Sequence, residues 1–86
     1  DAIAAPLGAA FRRAVEAGEI LPLRDILAAA SAAYGGQFVE AELEHEGGRW
    51  VYEIKLITGD GQLARLHYDA HSGALLHARI KGGRHR

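Results

Sequence analysis

Between Arg49 and Ile57 apolar and polar residues alternate with a period of two. Trp50, Tyr52, Ile54 and Leu56 fall on one side, and Val51, Glu53, Lys55 and Ile57 on the other, the pattern of a strand with one face on a core. The N-terminal third has a different period. Leu7, Ala10, Phe11, Ala14 and Val15 are spaced i, i+3, i+4, i+7, i+8, which predicts a first helix over residues 4–17. Pro6 suits its first turn and Gly18 its C-terminal cap. Pro22 opens a second helix that runs to Tyr34, with Leu23, Ile26, Leu27, Ala30, Ala33 and Tyr34 as its apolar stripe. Gly35-Gly36 ends it.

Four strands follow, and parity sets their pairing. Gly47-Gly48 is a two-residue hairpin turn, since both positions can take positive φ. It places Leu43 opposite Tyr52, Ala41 opposite Ile54 and Val39 opposite Leu56. A three-residue loop, Gly59–Gly61, then pairs Leu56 with Ala64, Ile54 with Leu66 and Tyr52 with Tyr68. A second such loop, His71-Ser72-Gly73, pairs Tyr68 with Leu76 and Leu66 with Ala78, with Ile80 also on the core side. A slip of one residue would turn each apolar set outward. The predicted fold is α+β: two N-terminal helices packed on one face of a four-stranded antiparallel meander. It forms a single domain over residues 1–80, with the N-terminal helix in 1–18 and the core in 19–80. A basic, Gly-rich tail at 81–86 is expected to be disordered.

With this pattern laid out, the chain resembles the PepSY domain family. The residues that carry the resemblance are Leu21–Ala30, the central Val51-Tyr52-Glu53-Ile54, and the hairpin Tyr68–Leu76. Asp69-Ala70 before the turn and Ser72-Gly73 closing it are most like the family signature. Ser72 stands where the family more often has Thr, which leaves the turn chemistry intact. The resemblance implies a non-catalytic domain that binds or inhibits peptidases, or regulates an envelope sensor, and it brings no catalytic residues. It also implies a periplasmic or secreted location. A start at Asp1 and the absence of Met fit a signal peptide already removed, and fit a trimmed chain equally.

Composition narrows the partners. A net charge of −1 from ten basic and eleven acidic residues argues against binding nucleic acid through phosphate contacts. No apolar run approaches the ~18 residues of a transmembrane helix. There is no cysteine, so packing alone must hold the fold. The only serines are Ser31, inside the second helix, and Ser72, beside His71 in a tight turn. Sequence neighbours rarely align as nucleophile and base, so no enzyme is expected. Asp60 between two glycines lacks the further acidic ligands of a calcium loop.

The sheet face away from the helices carries the candidate chemistry. The register builds one row of Glu42, Glu53, His67 and His77, and another of Glu40, Lys55, Arg65 and Arg79. One reading is a solvated face of mixed charge. In the other, His67, His77 and Glu53 are competent ligands for zinc or copper, or the two histidines respond to pH. Phe38, Ile57 and Leu63 form an apolar row at one end, with Val51 and Leu75 nearer the other. With Glu40, Lys55 and Arg65 they make a protein-contact surface, for a partner or for a homodimer. The alternatives are that the first helix covers the row or that the register breaks there. The last strand, left uncovered, could accept an extended peptide. Trp50 is expected at the core rim and Tyr52 and Tyr68 as stacked core aromatics.

Overall fold

The computed structural model describes residues 4–82. Helix α1 spans Ala4–Glu16 and α2 spans Leu23–Tyr34; strands β1 (Gln37–Glu46), β2 (Arg49–Ile57), β3 (Leu63–Asp69) and β4 (Leu75–Lys81) come after them. The strands form one antiparallel sheet in the order β1-β2-β3-β4. The α+β meander read from the periodicity is the observed architecture. The side chains of Pro6 in the expected first turn and of Leu7 and Ala10 in the expected first stripe, and residues 83–86 of the expected tail, lie outside the described residues. Lys81, assigned to that tail, instead closes β4 opposite Leu63.

The core lies between the helices and the middle of the sheet. Ala14, Ile20, Ile26 and Ala30 meet Tyr52, Ile54, Leu56, Ala64, Leu66, Tyr68 and Ala70. Each buried apolar side chain here contributes about 1.5–3 kcal/mol. Phe11 meets the Tyr52 ring edge-on, with centroids 6.4 Å apart. The Tyr52 hydroxyl donates to the Leu21 carbonyl at 2.7 Å. Its burial, with the Asp25 charge nearby, pushes its pKa up to about 12. Ala33, placed in the second helix's apolar stripe by spacing, is exposed, because the buried line of α2 runs through Ile26 and Ala30.

Two turns match the parity argument. Gly47 and Gly48 have φ of 54° and 77°, and Glu46 pairs with Arg49. After β2, Thr58 N donates to Gln62 O at 2.8 Å, and Gln62 N donates back to Thr58 Oγ1 at 3.0 Å. Two irregularities were not in the pattern. Between Phe38 and Glu40 the register shifts, so Phe38 rather than Val39 faces Leu56, and Gln37 faces Ile57. Such a bulge inserts one residue and exchanges the faces beyond it.

The last turn holds the other irregularity. Asp69 N donates to Ala74 O at 2.8 Å, so the loop is the four residues 70–73, one longer than expected. Tyr68 therefore pairs with Leu75, not Leu76, and a shift at His67/Tyr68 restores Leu66 opposite Ala78. The cause is Ala70. It is fully buried, its N–H donates to Trp50 O, and its carbonyl accepts from Leu21 N at 2.7 Å. Those bonds hold it against β2 and the interhelical link, and the chain reverses direction over His71, Ser72 and Gly73 beyond it.

Candidate functional site

The open face of the sheet is built by β2 and β3 in the middle and flanked by β1 and β4. Both charged rows form as the alternation predicts. Glu42 faces Glu53, Glu53 faces His67, and His67 faces His77; Glu40 faces Lys55, then Arg65, then Arg79. Within the first row His67 Nε2 lies 3.5 Å from Glu53 Oε2, and the two imidazoles stack with centroids 5.8 Å apart. Within the second, Lys55 Nζ lies 3.7 Å from Glu40 Oε2. At this exposure such pairs contribute at most about 1 kcal/mol, so the rows are not there to hold the sheet together.

Carboxylates gather more closely than the histidines do. Among the described residues, one group of potential ligands has all its atoms within 4.8 Å of one another: Glu42, Glu44 and Glu53. Of the expected trio, His67 and Glu53 are adjacent, while His77 meets His67 ring to ring. Glu44 was missed in the sequence, although its spacing of two from Glu42 puts it on the same face.

The apolar row is smaller than expected. Ile57 and Leu63 do face each other, but Gln37 and Lys81 flank them. Phe38 leaves the row because the bulge turns it to pair with Leu56. Leu75, expected on the open face, pairs with Tyr68 instead, and Val51 is buried. The larger apolar exposure lies at the sheet's two edges: Phe38 and Val39 on β1, and Leu75, Leu76 and Ile80 on β4, each 43–54% exposed. Every residue of β4 is exposed, because the helices centre on β2 and β3.

Near the last turn the residues serve the fold. Asp69 Oδ1 accepts from Ser72 N at 3.1 Å and His71 N at 2.8 Å. These two bonds, Ser72's first, hold its carboxyl below the usual range, and Arg49, 3.8 Å away, adds to them. Ser72 Oγ accepts from Ala74 N, and His71 Nδ1 lies 3.0 Å from the Glu19 carbonyl. Neither side chain is aimed at the other. Trp50 sits half-buried against the core and stacks on His45, ring centroids 4.4 Å apart and 13° from parallel.

The model of the family described as "Peptidase propeptide and YPEB domain" matches residues 20–78. The chain belongs to the PepSY family. The match begins at buried Ile20 and ends within β4, so it covers the interhelical link, α2 and the sheet, and omits α1. No curated protein and no solved structure shows a match to the chain. No described helix is long and apolar enough to cross a membrane. For PepSY domains as a family the role is regulatory or binding, of the kind a peptidase propeptide performs.

Proposed function

We propose that this PepSY domain is a non-catalytic protein-binding module of the cell envelope or secreted space, and that it modulates a peptidase or a sensor. The observation that carries the reading is the open sheet face. Glu40, Lys55 and Arg65 stand there in one row, beside Ile57 and Leu63, with both helices on the opposite side. A surface of mixed charge with a small apolar row at one end suits a protein partner, in which charged rows set orientation and encounter rate. Phe38, turned by the bulge to pair with Leu56, lies off this face at the β1 edge.

The test is site-directed photo-cross-linking in the native envelope from Lys55 and Arg65, with Arg24 on α2 as control. The expected result is one protein captured from both sheet positions and not from Arg24, whose activity changes when the purified domain is added. Equal labelling from Arg24, or a captured protein indifferent to the domain, would refute the proposal.

A second reading rests on the Glu53, His67 and His77 geometry: a metal- or pH-responsive binder using zinc or copper. One imidazole nitrogen beside a carboxylate at 3.5 Å, with further carboxylates of Glu42 and Glu44 close by, is a donor set those ions accept. Titrating each ion while following the histidine ring resonances separates the readings. Unmoved His67 and His77 signals end the second one.

A further inference from the structure

We propose that this chain associates with further copies of itself, the outer edge of β4 in one copy pairing antiparallel with the outer edge of β1 in the next. The two edges differ in charge on the same face. β1 presents Glu40, Glu42 and Glu44 on the open side, and β4 presents His77, Arg79 and Lys81. On the helical side β1 presents Ala41 and Leu43, and β4 presents Ala78 and Ile80.

The backbone fixes which of these groups can meet. The two-residue turn makes Glu46 and Arg49 a mutually hydrogen-bonded pair, so Glu44, Glu42 and Glu40 also bond inward to β2. Ala41 and Leu43 therefore direct their N–H and C=O groups outward. At the other edge Asp69 bonds to Ala74, and alternation then joins His67 to His77, Arg65 to Arg79 and Leu63 to Lys81. Ala78 and Ile80 are left with outward backbone groups.

An intermolecular ladder must use these outward groups from both edges. Pairing Ala41 with Ile80 and Leu43 with Ala78 places Glu40 opposite Lys81, Glu42 opposite Arg79 and Glu44 opposite His77. Moving the register by two residues still sets acid beside base and apolar beside apolar. A one-residue slip, which would set a charged row opposite an apolar one, leaves the outward backbone groups unbonded. In a four-stranded meander β1 and β4 run in opposite directions, so the next copy continues the antiparallel alternation with its helices on the same side. Ile80, 43% exposed at β4, becomes covered.

The contact is head-to-tail, so each added copy leaves one acidic and one basic edge free, and growth does not stop at two. This needs no foreign partner and is read on the purified chain alone, so its outcome is separate from that of the envelope cross-linking. Sedimentation of the full chain from ~10 µM to ~1 mM at low salt should show a mean mass rising past that of a dimer, and falling again as salt screens the edges. Glu42→Lys and Arg79→Glu should each weaken association by about tenfold or more. An equimolar mixture of the two should recover it, because each then offers the edge the other lacks. Ile80→Pro, which removes an outward N–H and leaves the ladder to β3 intact, should abolish assembly with an unchanged thermal melt. A wild-type chain that stays monomeric, a mass that stops at twice the chain, or a mixture that fails to recover would each overturn the pairing.

Discussion

Leu66 and Ile80 point to the same side of the same sheet, yet Leu66 is fully buried and Ile80 is 43% exposed. Leu66 lies on β3 under the helical layer; Ile80 lies one strand further out, beyond it. Alternation along a strand tells which way a side chain points. It does not tell how far the opposing layer reaches. The covered and uncovered halves of this one face are therefore distinguished by the helices, and substitutions can measure that difference.

The largest effect is expected where the layer is seated. Gly36 has φ of 78°, and a Cβ there would collide with the backbone of Ile57 and Thr58. Gly36→Ala should cost roughly 4 kcal/mol or more in denaturant unfolding, because neither strain nor clash can be relieved without moving the end of β2. Leu66→Ala should cost about 2–5 kcal/mol by the same measurement. Tyr52→Phe removes the bond to Leu21 O and should cost about 1–2 kcal/mol.

A pH series tests the tie at the last turn. The native Asp69 carboxyl is held below its unfolded value, so its contribution is present above that value and is lost as pH falls through the native one. Asp69→Asn should flatten the loss of stability between about pH 5 and about pH 2. Ile80→Ala should have the smallest effect, about 1 kcal/mol or less for the isolated chain, since 43% of the residue already meets water whereas Leu66 is fully buried. A loss at Ile80 equal to that at Leu66 would erase the distinction between the two halves.

Most of the fold was legible because parity and turn chemistry agree. Gly47-Gly48 and Gly59–Gly61 leave one register that buries Ile54, Leu56, Ala64 and Leu66 together, and that register forms. The failures have local causes. Phe38 and Val39 are both apolar and adjacent, so nothing in their order says which one the bulge admits to the core side. Ala70 has no polar side chain to announce that its backbone bonds both Trp50 and Leu21, and so the last loop came out one residue short. On the open face the rows of Glu53 with His67 and of Lys55 with Arg65 follow from the same parity, whereas the closeness of Glu44 to Glu53 depends on side-chain direction. The exposure of β4 depends on helix placement, which no period in the sequence encodes.

The link between the helices has a bearing on how the chain comes together. Glu19 and Leu21 are fastened to His71, Ala70 and Tyr52, and the first of these partners lies 52 positions downstream. A chain emerging from the ribosome has made both helices long before the residues that dock them exist. The fastening of that link through Ala70 and His71 therefore waits on residues far along the chain.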